Sequence, residues 1–146
     1  MRMTPPLTVT TGTSNAHLSL PRQWRFTLKS APRTKKNHGI ITTRGKSPRM
    51  LPSKQFSAWN RIAQVELARV RADSRGFPIE FNVNVRAWFY RDAERGDAVG
   101  YYQALADALQ EGRIVADDKC LISWDGSRLL KDADNPRIEV HITEVL

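Results

Sequence analysis

Three aspartates stand where a carboxylate could do chemistry: Asp97, placed between Gly96 and an amphipathic run, and the adjacent pair Asp117 and Asp118 just beyond that run. Carboxylates are hard oxygen donors, the kind that hold magnesium or manganese, and two of them can suffice when phosphate oxygens and waters complete the shell. Each also has an ordinary structural use, Asp97 as a helix N-cap and Asp117-Asp118 as a turn. What sets them apart is order: one acid opens a helix, and the other two lie between that helix and the next strand. A short return loop would send the strand back antiparallel to the helix, towards Asp97.

The charge distribution bears on the same residues. The chain is 146 residues long with a formal net charge of +8. Residues 1–76 carry 15 Lys/Arg against only Glu66 and Asp73, whereas residues 77–146 carry 8 Lys/Arg against 13 Asp/Glu. The basic half suits a polyanion, because neutralising phosphates releases condensed counterions. Carboxylates beside a phosphate backbone repel it unless a divalent cation stands between them, so the acidic half fits the same partner only with a metal.

The length accommodates one domain. No apolar run approaches the roughly 20 residues that cross a bilayer, and the start has no basic-then-apolar signal pattern, so a soluble cytoplasmic protein is expected. Cys120 is the only cysteine and reads as core rather than nucleophile. His38 reads as a loop residue.

Residues 1–22, rich in Thr, Ser, Pro and Asn without a period, read as a flexible leader to a domain over 23–146. Trp24 to Lys29 alternates as a strand does. Ser30 to Met50 is a basic loop, with a short hairpin expected at Gly39 to Thr43. Ser53 caps a helix with Phe56, Trp59, Ala63, Leu67 and Val70 on its inner face, ending near Asp73. A long half-buried strand follows, with Ile79, Phe81, Val83, Val85, Ala87 and Phe89 inward. Asp97 caps a second helix, expected to bury Val99, Tyr102, Ala106 and Leu109 and to stop at Gly112. Strands at Cys120 to Trp124 and Ile138 to Ile142 close the order. Two helices on a small mixed sheet make an α/β or α+β two-layer domain.

Read as an ordered set, these motifs resemble the RusA-like Holliday junction resolvases. Gly96-Asp97, the helix ending Ala106-Asp107-Ala108-Leu109, and Asp117-Asp118 are similar to that family's signature without a gap. Pro32-Arg33-Thr34-Lys35-Lys36-Asn37 matches its Pro-x-x-Lys-Lys-Asn segment, Leu51-Pro52-Ser53 through Trp59 its helix start, and Pro136 to Val140 its closing strand. The likeness spans about Phe26 to Val145. It implies a RusA-like fold and a homodimer that cleaves four-way DNA junctions using Mg2+ or Mn2+.

Carried over residue by residue, the resemblance makes Asp97 and Asp118 catalytic acids and metal ligands, with Asp117 beside them. Three positions depart from the pattern: Val99 replaces the second catalytic Asp, Gly100 an Asn, and Gln103 the catalytic Lys. Gln103 can donate a hydrogen bond to a phosphate but cannot neutralise it. A catalytically impaired protein that binds branched DNA is the alternative reading. Among substitute ligands, Asp107 and Asp125 are too distant along their elements, which leaves Glu94, ahead of Asp92, in the loop before Asp97. Arg33, Lys35, Lys36, Asn37, Arg44 and Lys46 form the expected DNA track, contacting phosphates without reading sequence. Trp88 and Trp124 are offered to bases, to covered apolar surface or to a dimer contact.

Overall fold

The computed structural model describes residues 19–35, 40–42, 49–51 and 53–146. Strand β1 (Gln23–Leu28) is followed by a two-stranded hairpin, β2 (Ile40–Thr42) with β3 (Arg49–Leu51), then by helix α1 (Lys54–Asp73). Strand β4 (Val83–Arg91) leads to helix α2 (Ala98–Glu111), and β5 (Leu121–Ser123), β6 (Arg128–Lys131) and β7 (Arg137–Glu144) complete the chain. The fold is a small α+β domain with a five-stranded mixed sheet and, among the described residues, two helices.

Strand β4 organises the sheet. On one side it pairs antiparallel with β7, which in turn pairs antiparallel with β1. On the other side it pairs in parallel with β5 near Val83 and with β6 from Trp88 to Arg91. Strands β5 and β6 are therefore two halves of one edge, interrupted at Trp124 to Ser127. Side chains satisfy the backbone across the gap. Asn84 Oδ1 accepts from Ser123 Oγ at 2.6 Å and from the Asp125 N–H at 2.8 Å, while Ser127 Oγ accepts from the Ala87 N–H at 3.0 Å. Without its partner the buried Ala87 N–H would cost about 1–3 kcal/mol.

Because side chains alternate along a strand, the register assigns two faces. Trp24, Phe26 and Leu28 stand opposite Ile142, Val140 and Ile138, which stand opposite Val85, Ala87 and Phe89. That face meets Phe56, Trp59, Ala63 and Leu67 of α1 and the inner residues of α2 in one core. The other face carries Arg25, Thr27, Arg86, Trp88, Tyr90, Glu139 and His141 and remains at least partly exposed.

Helix α1 matches the sequence expectation: Ser53 is its N-cap, accepting from the Phe56 N–H at 3.1 Å. Helix α2 corrects it. The buried residues are Tyr101, Ala104, Leu105, Ala108 and Leu109, so of the expected stripe only Leu109 is buried, while Val99 is 59% exposed and Tyr102 half-buried. The apolar surface of α2 exceeds one face, and both sets recur at helical spacing; Tyr101 and Leu105 are the larger payload for the core. Gly112 does end α2, but its φ of −79° is ordinary, and the left-handed residue is Arg113 at φ 60°. Glycine is needed for space: a Cβ there would lie 2.9 Å from Gln64 Oε1 and 3.1 Å from Leu67 Cβ.

Three further boundaries shift. The expected strand from Ile79 begins at Val83, leaving Ile79 in an isolated bridge to Val115. Asp118–Cys120 forms a 3-10 turn rather than a strand start, and β6 had no sequence counterpart. The contacts of the domain also reach back past residue 23, since Arg22 bonds Glu144 through its amide and its guanidinium.

Candidate active site on helix α2

Asp97 takes up the cap role that its position implies. Its Oδ1 accepts from the Gly100 N–H at 2.9 Å, an interaction of about 1 kcal/mol at the head of α2. Gly100 is buried here for want of room. A Cβ would lie 2.8 Å from Asp97 Oδ1 and 3.3 Å from Thr34 Cγ2, and one on Gly96 would meet the same Thr34 atom at 3.3 Å. Thr34, 4% exposed, thus seats the Pro32-to-Lys35 segment on the start of α2. Two ion pairs hold that segment further. Arg33 forms a two-pronged pair with Asp92 at 2.8 and 3.1 Å, and Lys35 pairs with Asp107 on α2. Arg33 keeps the Asp92 carboxyl below its ordinary range.

The pairings alter the expected roles of these residues. Arg33 and Lys35 each already have a carboxylate partner, so a phosphate would compete with Asp92 or Asp107 for them. Asp92, a weaker candidate ligand than Glu94, is committed to Arg33. Glu94 is exposed in the loop before Asp97. Lys36, Asn37, Arg44 and Lys46 lie outside the described residues, as does His38.

Asp117 and Asp118 lie beyond the other end of α2. The Asp118 N–H donates to Gln110 Oε1 at 2.8 Å, and the Lys119 N–H donates to Asp117 Oδ1 at 2.9 Å. From there β5 returns alongside α2 as expected, so that Trp124 stacks on Tyr102, ring centroids 4.7 Å apart. Beside this stack lies a groove of about 240 Å³, lined by Val99, Tyr102, Gln103, Ala106, Asp118, Leu121 and Trp124. The face of α2 expected to be core is the floor of this groove. It brings together Asp118 and the two departing positions, Val99 and Gln103. Asp97 is at the head of the same helix but does not line the groove.

The two adjacent acids influence each other. Hydrogen bonding to Asp117 and its negative charge push Asp118 above its ordinary value, with Asp107 adding to the repulsion; the Lys119 amide holds Asp117 below its own. A pair of exposed carboxylates that repel one another is chemically suited to a divalent cation, which would relieve the repulsion. The donor set therefore fits magnesium or manganese in kind. It is sparse in number: among the described residues, no group of three or more His, Cys, Asp and Glu side chains gathers as a metal site.

Sequence reasoning named Asp118 and Gln103 but missed Tyr102, Leu121 and Trp124 as groove walls. Trp124 packs one ring face on Tyr102 and remains partly exposed in the groove. The signal for the groove was the surplus apolar surface of α2, which a single stripe leaves unexplained. Cys120 is half-buried, with Sγ 3.8 Å from the Ile79 carbonyl. Comparison of the sequence with family models and with curated proteins finds no match. Among the described residues no helix is long and apolar enough to cross a membrane.

Proposed function

We propose that the protein is a RusA-like, structure-specific DNA endonuclease that acts as a homodimer on four-way junctions in recombination and repair. The observation that carries this reading is the groove that Asp118 lines together with Val99 and Gln103, on the helix opened by Asp97. Those positions correspond to the family's acidic and lysine positions. The Thr34 contact adds that the basic Pro32-to-Lys35 segment lies against the same helix.

Asp118, with Asp117 adjacent, would hold Mg2+ or Mn2+ in the groove, whereas Asp97 and Glu94 stand at the opposite end of α2. Such an ion, when bound, supplies Lewis acidity and a water of lowered pKa. Gln103 would orient a phosphate oxygen through its amide, and the basic loop from Lys35 to Lys46 would grip the arms. Incubation of the purified protein with a synthetic four-way junction and manganese tests the reading. Paired nicks that vanish in Asp97→Asn are expected; binding without nicks over hours would sink the endonuclease.

The second reading, a RusA-like protein that binds branched DNA without cleaving it, is favoured by the exposed isopropyl group of Val99 in the groove. It also draws on the use of Asp97 Oδ1 as a helix cap. Under it, junction binding is unchanged by manganese and by Asp97→Asn.

A further inference from the structure

The sheet face away from the helices carries an arrangement that the junction reading does not use. Three cross-strand rows set its chemistry. Arg25 of β1, His141 of β7 and Arg86 of β4 stand side by side; Thr27, Glu139, Trp88 and Arg128 of β6 form the next row; Arg137, Tyr90 and Leu130 form the third. A depression of about 310 Å³ opens over the first two, bounded by Arg25, Thr27, Arg86, Trp88, Glu139 and His141. That volume is at the lower end of small-ligand sites.

Charge on this face is unbalanced. Its carboxylate, Glu139, is taken by Arg137, whose Nε lies 2.8 Å away, and Arg137 also bonds Asp132. Among the described residues, Arg25, Arg86 and Arg128 have no salt-bridge partner. Two of these guanidiniums attend one ring: Arg86 lies 5.4 Å and Arg128 5.9 Å from the Trp88 centroid. The indole is held by its Nε1–H, which donates to the Gly126 carbonyl at 3.0 Å. On the neighbouring Tyr90, Arg137 lies closer, 3.8 Å from the ring centroid, than either arginine does to Trp88, so Trp88 is the less covered aromatic of the two. Arg25 and Arg86 also help burial to hold His141 below its ordinary value, consistent with a positive local field.

We propose that this face binds single-stranded nucleic acid, with one unpaired base stacked on Trp88 and the adjoining phosphates between Arg25, Arg86 and Arg128. A positively charged surface with a fixed indole is the combination that tracks a sugar–phosphate backbone while accepting any base. A base inside a duplex has no free face to offer, so the surface discriminates by strandedness. The assignment is independent of the groove on α2, which lies across the sheet.

Fluorescence anisotropy of the full chain with labelled oligo(dT) of about a dozen nucleotides tests it, alongside a blunt duplex of the same length. Oligo(dT) binds more tightly than the duplex, and Trp88→Ala weakens it about tenfold, the scale of one lost stacked base. Trp88→Phe retains most of the affinity. The double variant Arg25→Gln/Arg86→Gln lowers the salt slope by about one, as expected when one or two single-strand phosphate contacts are lost. Should Trp88→Ala fail to fold by circular dichroism, Trp88→Phe and the arginine double variant decide. Equal affinity for duplex and single strand, or unchanged affinity in the arginine variant, overturns the proposal. So does a dimer in light scattering that Arg86→Glu converts to monomer, since this face would then be covered by a second copy. Loss of junction binding with retained oligo(dT) binding leaves this face assigned and removes only the reading of the α2 groove.

Discussion

Tyr102 and Trp124 lie stacked, ring centroids 4.7 Å apart and planes within 2° of parallel, one ring from α2 and the other from the break between β5 and β6. Both rings line the groove that Asp118 also lines. The worth of the stack can be isolated by a double-mutant cycle of Tyr102→Leu and Trp124→Leu in urea denaturation. The expected coupling is about 1 kcal/mol, beyond the area each ring buries. A coupling near zero would mean that the rings pack independently.

The capping role of Asp97 and its proposed catalytic role can be separated, because Asn caps a helix about as well as Asp. Asp97→Asn should leave the thermal midpoint almost unchanged while abolishing manganese-dependent nicking. Asp97→Ala should lose both activity and about 1 kcal/mol of stability. A large loss of stability in the Asn variant would contradict the cap assignment.

Val99 is 59% exposed and Gln103 is also exposed, so charged side chains can be placed there without burial cost. Val99→Asp/Gln103→Lys supplies a third carboxylate and a cation to the groove. Junction nicking in manganese should rise by tenfold or more, given that a single well-placed electrostatic group is worth about 100-fold or more in rate. No change would show that the groove is not where cleavage occurs.

The Arg33–Asp92 pair should appear in the acid limb of stability. Asp92 is held below its unfolded value, so its contribution is complete above about pH 4 and is lost as pH falls through the lower folded value. Arg33→Ala should cost about 1 kcal/mol at neutral pH, the scale of a partly exposed pair, and flatten the stability profile below pH 4. An unaltered acid limb would show that the pair contributes nothing.

For His141 the direction is also downward, from burial first and then from Arg25 and Arg86. The unfolded chain takes up a proton before the folded one does. Stability therefore falls as pH drops through about 6.5 and stops falling below the folded value. In NMR titration, Arg86→Gln should move the His141 pKa upward; no movement would remove Arg86 from its surroundings.

Gly112 gives a steric prediction. Its backbone is ordinary, yet Gly112→Ala would press a methyl group on Leu67, whose Cβ cannot swing away. The expected cost is about 1–3 kcal/mol in chemical denaturation. Stabilisation by the substitution would mean that α1 and α2 adjust to it freely.

Much of the architecture was legible because it depends on local rules. Ser53 and Asp97 were readable as caps, since a short oxygen side chain ahead of an apolar-periodic run has few other uses. Alternation gave β1, β4 and β7. The buried face of α2 was misread because Val99, Tyr102 and Ala106 are as apolar as Tyr101, Ala104 and Ala108. Strand β6 was missed because four residues of an edge half-strand carry no period long enough to detect.

The sequence by itself determined the helices, the main strands and the opposition between a basic half and an acidic half, because these follow from side-chain spacing and charge along the chain. Only the tertiary structure decided which charged and aromatic groups meet. It sets Asp118 in a groove with Val99 and Gln103, commits Arg33 to Asp92 and Lys35 to Asp107, and stacks Trp124 on Tyr102. It also sorts Arg25, Arg86, Arg128 and Trp88 onto one face. Those neighbours come from three different strands, helix α2, a 3-10 turn and the loops between them, and strand order and register are fixed by how the whole apolar surface is buried, which no local window of sequence contains.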